Sequence, residues 1–151
     1  MRKILLIGLC MVLLLSTIVS ASPMDVLREY YEADMDEDID KLMSLTDFSH
    51  VDAKDRDEFK SDMRATIEAL ANIFDTDSYS ITDEYVQESG DDALIFYHLN
   101  TQLVDNKGKT AEIDLDFVAV MHNDGGWKVV YLQPKDAFEQ NMMLRELTIS
   151  V

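Results

Sequence analysis

Residues 93–122 read ALIFYHLNTQLVDNKGKTAEIDLDFVAVMH, two runs of alternating side chains around Asn106, Lys107 and Gly108. A period of 2 on both sides of such a turn predicts an antiparallel hairpin. With Gly108 in the left-handed position of a three-residue loop, Asp105 faces Lys109 and every later pair is fixed. One face then pairs Ile95 with Ala119, Tyr97 with Phe117, Leu99 with Leu115 and Thr101 with Ile113. The other pairs Leu94 with Val120, Phe96 with Val118, His98 with Asp116 and Asn100 with Asp114. A slip of one residue would set Tyr97 against Asp116 and mix the faces, so the first register is preferred.

The same period extends outward from the hairpin. Tyr79, Ile81 and Tyr85 mark a strand that starts near Ser78 and ends at Ser89, Gly90 and Asp91. A fourth strand runs from Trp127 to Gln133, entered through Asp124 and Gly125 and stopped by Pro134. Turns this short make neighbouring strands antiparallel. Upstream the period becomes helical. Ser22 caps a helix with Pro23 in its first turn and turns Val26, Leu27, Tyr30 and Tyr31 inward. Asp36 is expected to cap a second helix with Ile39, Leu42, Met43 and Leu45 inward, followed by a loop over Thr46–Ala53. A third, Asp55 to Phe74, places Phe59, Met63, Ile67, Leu70 and Phe74 on one stripe. That stripe is expected to cover the sheet face carrying Ile95, Tyr97, Leu99, Leu115 and Phe117. The fold class is therefore α+β: three N-terminal helices packed on a curved four-stranded antiparallel meander. Phe138, Met142, Met143 and Leu147 follow in a short C-terminal tail or docking helix.

The chain has 151 residues and a formal charge of −17, with 30 acidic against 13 basic side chains. Such a surface excludes nucleic acid, because phosphates are neutralised by Lys and Arg. With 47% hydrophobic residues the chain can pack a core. Residues 1–21 read as a signal peptide: Arg2 and Lys3, an apolar run from Ile4 to Val19, then Val19, Ser20 and Ala21 before a cut at Ser22. The alternative is an uncleaved membrane anchor. Cys10, preceded by Leu9 in mid-run, does not fit lipoprotein processing. Cleavage takes the charge from −17 to −19 and removes the single cysteine, leaving no disulfide or thiolate chemistry. The domains are thus residues 1–21, 22–134 and 135–151.

The segment Tyr30 to Leu42, YYEADMDEDIDKL, resembles the opening of the nuclear-transport-factor-2-like (SnoaL-like, cystatin-like) superfamily, a tyrosine-rich helix, an acidic break and a second helix. Asp124 to Tyr131, DGGWKVVY, resembles its closing strand. The likeness spans most of residues 24–133 and departs from the pattern at the short Thr46–Ala53 segment, where many members carry a strand or hairpin. It implies a cone whose cavity can hold an apolar ligand, and favours the smaller secreted members over the known enzymes. No member's catalytic motif can be matched here.

Chemistry is sparse. His98 opposite Asp116 is the one His–carboxylate pair supplied by the register, a general base if functional. It lies on the face away from the apolar one, where a cross-strand ion pair is the simpler reading. Tyr97, Thr101, Asp83 and Tyr85 are the cavity-facing candidates for holding a ligand, although a tyrosine in such a place is more often a core residue. Asp34, Asp36, Asp38 and Asp40 alternate like a calcium loop. The test fails at Ile39 and Leu45, where Gly and Glu are required. His50 and His122 have no metal-ligand spacing, and no cofactor motif is present. The reading is an exported ligand-binding or protein-association module without its own catalysis. The alternative is a cavity enzyme of the isomerase or dehydratase type. Leu94, Phe96, Val118 and Val120 are expected to form a homodimer face unless the tail covers them.

Overall fold

The computed structural model describes residues 21–149, with side chains through Met142. The expected signal segment lies outside the described residues, apart from Ala21. Helix α1 spans Pro23–Met35, α2 Ile39–Leu45 and α3 Arg56–Ala71. Strands β1 (Phe74–Ser89), β2 (Asp92–Asp105), β3 (Thr110–Asn123) and β4 (Trp127–Pro134) follow, then α4 (Lys135–Ile149). The sheet is one antiparallel meander in the order β1-β2-β3-β4.

Local chemistry explains the helix ends. Ser22 Oγ accepts from the Asp25 amide at 3.1 Å while the Asp25 carboxylate accepts from the Ser22 amide at 3.0 Å, a reciprocal cap. The second helix is capped by Asp38, whose carboxylate accepts from the Lys41 amide at 3.0 Å. The expectation of Asp36 is corrected: Asp36 closes α1 instead. Between them Glu37 takes φ 54°, the left-handed bend that reverses the chain without a glycine.

The β2–β3 register is the one the hairpin argument predicts, from Val104 opposite Thr110 to Asp92 opposite His122. Gly108 has φ 76°, the conformation its place in the turn requires. Strand β1 starts four residues earlier than expected. Bulges between Thr76 and Ser78 and between Thr82 and Tyr85 interrupt its alternation, which hides a period of 2 from any reading by eye. β4 pairs with β3 only from Phe117 to Asn123, so among the described residues β3 runs from Thr110 to Asp116 with no strand partner on that side. The loop after α2 is partly strand-like: Thr46 bridges Val129 in parallel, and the Asp47 amide donates to the Val129 carbonyl at 2.8 Å.

The core lies between α1 and the inner sheet face. Leu27, Ile95, Ala119 and Met121 are fully buried, with Met24, Val26, Tyr97, Leu99 and Val129 around them. The expected packing is corrected here. Helix α3 buries no residue; Phe59 is 45% exposed, Leu70 53% and Leu115 51%, and Phe74 begins β1. Helix α3 passes directly into β1, and the Ile73 carbonyl accepts from the Asn106 amide at the β2–β3 turn, 3.2 Å away. It therefore stands at the turn end of the sheet and leans on α2 and Phe48, leaving α1 to cover the strands. The periodic stripe marks a face of α3 but not the surface it meets.

The C-terminal segment is a full helix. Phe138 of α4 meets Phe96 edge to face on the outer sheet face, ring centroids 6.2 Å apart. Val118 beneath is fully buried, as is its neighbour Ala119 on the opposite face.

Candidate functional site

Four tyrosines gather where α1 crosses β1 and β2. Helical spacing aims Tyr30 and Tyr31 down from α1, while alternation raises Tyr79 and Tyr97 on the inner face. Tyr31 stacks on Tyr79 at 5.5 Å and meets Tyr97 edge to face at 6.2 Å, and Tyr97 stacks on Phe117 at 6.0 Å. The Tyr31 and Tyr97 hydroxyls are 2.8 Å apart. Burial pushes the Tyr97 phenol up to about 12 and raises that of Tyr31 further, with the neighbouring Tyr97 adding to it. Both stay neutral at physiological pH. In such a pair one hydroxyl donates to the other, so one proton of the pair remains unspent.

Asp34 stands at the rim of this cluster. It follows Tyr30 by four residues and Tyr31 by three, the spacing that brings helix side chains to one face. Its carboxylate accepts from Thr76 Oγ1 at 3.1 Å. The protein packed around it raises its pKa, against a lowering by the Thr76 hydrogen bond. In the sequence Asp34 reads as part of the acidic break and of a calcium-loop pattern that fails; its three- and four-residue offsets from Tyr31 and Tyr30 are the signal for its place here.

The other candidates are dispersed. Thr101 is buried on the inner face, but its hydroxyl donates to the Ser78 carbonyl at 2.9 Å and is spent. Asp83 is exposed at φ 53° in the second β1 bulge. That extra residue reverses the alternation beyond it. Tyr85 therefore opposes Phe96 on the outer face, 62% exposed with the rings 6.1 Å apart, and does not reach the cavity side as expected.

His98 is also on the outer face, opposite Asp116 as the register requires. Its Nδ1 lies 2.9 Å from Asp116 Oδ1 and its Nε2 2.7 Å from Asp114 Oδ1. Those hydrogen bonds, Asp116 first and then Asp114, raise the imidazole pKa. Asp114 is lowered in turn by His98 and by Asn100. His122, also raised, leans on Asp92 at 2.8 Å. Among the described residues no three His, Cys, Asp or Glu side chains converge to hold a metal ion.

Solved structures share this arrangement of helices and meander. A ketosteroid isomerase-like protein from Erwinia carotovora atroseptica superposes with a TM-score of 0.59 at 12% identity, covering 77% of this chain and 94% of that one. An NTF2-like protein of unknown function in nutrient uptake from Rhodospirillum rubrum gives 0.56 at 17%, covering 74% and 95%. A cystatin-like protein from Nostoc punctiforme gives 0.50 at 12%, covering 74% and 85%. The fold is nuclear-transport-factor-2-like. No protein-family model and no curated protein matches the sequence. The Tyr31–Tyr97 pair lies between α1 and the inner sheet face of this fold. Phe117, stacked on Tyr97, is half-buried.

Proposed function

We propose that the protein is an exported module that binds a small apolar ligand bearing a carbonyl or hydroxyl group on the inner sheet face, without catalysis of its own. The Tyr31–Tyr97 hydroxyl pair carries this reading. It offers a neutral hydrogen-bond donor among aromatic rings, the combination of apolar walls and few polar groups that small-molecule sites use. The probe is 2-naphthol, followed by tyrosine and ligand fluorescence. Tyr97→Phe should weaken its binding by up to about tenfold, the worth of one neutral hydrogen bond. Binding of naphthalene, which has no hydroxyl, should be unchanged. Equal effects on both probes would remove the hydroxyl pair from the site. Export is supported by the order of charge, apolar run and small-residue exit in residues 1–21. Recovered extracellular protein should begin at Ser22.

Two observations favour the enzyme alternative, acid–base isomerisation or dehydration in the cavity. Asp34 holds a raised carboxyl near Tyr31, and the Erwinia carotovora neighbour is ketosteroid isomerase-like. Turnover of an enolisable ketone that Asp34→Asn abolishes while binding survives would establish it.

We propose further that the outer face is where the protein associates with a second copy of itself. Leu94, Phe96 and Val120 are only partly covered, and Tyr85 and Tyr131 beside them are exposed. A second copy of this face would bury these side chains.

A further inference from the structure

Away from the sheet, α2 and α3 enclose an open groove of about 530 Å³. That is a volume typical of small-molecule sites. Phe48 and Met43 supply its apolar surface, and Ser44 and Ser61 stand at its sides. Of its four charges, Arg64 and Asp40 are closed on each other at 2.6 Å. Lys60 and Asp57 are not. They lie one turn apart on α3, the spacing at which opposite charges ordinarily meet, yet neither forms an ion pair among the described residues. The Lys60 ammonium instead stands over the Phe48 ring, 5.1 Å from its centroid. The groove thus presents, among the described residues, one cation outside any ion pair that rests on an aromatic ring, and one carboxylate outside any ion pair.

We propose that this groove binds a small zwitterion carrying an apolar group, such as a free apolar amino acid. Lys60 receives the carboxylate, Asp57 the ammonium, and Phe48 the side chain. Charge decides the class. A chain carrying −17 repels simple anions and gathers simple cations without selectivity. A zwitterion is neutral to that distant field and is held by the two local charges. The proposal is independent of the tyrosine site, which lies on the inner sheet face.

The test is titration of the purified protein with L-phenylalanine, followed by amide chemical shifts. Shifts should centre on Phe48, Lys60 and Ser44. Phenylacetate and phenethylamine, each lacking one charge, should bind about fivefold more weakly, the scale of one exposed ion pair. Lys60→Gln and Asp57→Asn should each weaken phenylalanine by a similar factor, and Lys60→Arg should retain it. Asp57 is exposed and Lys60 half-buried, and unchanged thermal unfolding of the variants would show that the fold is intact. Phenethylamine binding as tightly as phenylalanine would mean unselective cation uptake and overturn the proposal. So would shifts centred on Tyr97 and Phe117, or no shifts at about 10 mM phenylalanine, a concentration that would populate even a millimolar site.

Discussion

His98 Nδ1 and Asp116 Oδ1 face each other across β2 and β3 at 2.9 Å, while the other ring nitrogen is held by Asp114. Both nitrogens can donate only when the ring is protonated, so the arrangement selects the imidazolium. Because the folded-state pKa is raised above the ordinary 6.5, the stability this contact contributes is complete below that value. It is lost as pH rises through the raised one. Asp114, lowered from its ordinary 3.8, sets the acid limit: its share is present above that value and lost as pH falls through the lowered one. Titration of the His98 ring protons by NMR should show the upward shift, and Asp116→Asn should reduce it. An ordinary His98 titration in the parent protein would contradict the clamp.

The core lies under α1. Leu27→Ala should cost about 2–5 kcal/mol in denaturant unfolding, as for a fully buried leucine. Leu115→Ala, at a site 51% exposed, should cost less than about 0.5 kcal/mol. A reversed order would put α3 back over the sheet.

Tyr31 and Tyr97 should be coupled. Each loses its hydroxyl partner when the other becomes phenylalanine, and the double variant removes both. A cycle through Tyr31→Phe, Tyr97→Phe and the pair should return a coupling of about 0.5–1.5 kcal/mol in stability. Additive single effects would mean that the 2.8 Å contact contributes nothing.

Self-association should depend on salt and on α4. The net charge opposes pairing, and screening weakens that opposition, so sedimentation should move from monomer towards dimer as salt is raised. Deleting residues 135–151 uncovers Phe96 and Val118 and should strengthen the dimer. A monomer at every ionic strength, losing only stability when α4 is removed, would leave α4 as a permanent cover.

The hairpin was legible because two constraints coincided in Ala93–His122: a turn that sets the register and a pattern that punishes a slip. The α1 face was legible from Val26, Leu27, Tyr30 and Tyr31 for the same reason. What could not be read was which helix meets the sheet. The stripe from Phe59 to Leu70 has the right period, but periodicity carries no information about the partner surface. Tyr85 was misplaced because one bulge at Asp83 reverses every side chain beyond it. In the site, Tyr97 and Thr101 were placed on the inner face from sequence. The role of Asp34 was not, since its raised pKa comes from desolvation by protein packed around it in space, which outweighs the lowering by the hydrogen bond from Thr76 far along the chain.

β4 ends opposite Phe117, and from Thr110 to Asp116 β3 carries on with one side unpaired among the described residues. A strand left open in this way is a template on which another chain can add, the first step towards fibrils. Glu112, Asp114 and Asp116 occupy every second position of that stretch. An incoming copy in register would bring its own carboxylates against them. His98 and Asn100 hold these acids from the β2 side, fixing their positions while leaving them in water. The acidic stripe thus serves as a gatekeeper against uncontrolled strand addition, and its protection ends where acid neutralises the carboxylates.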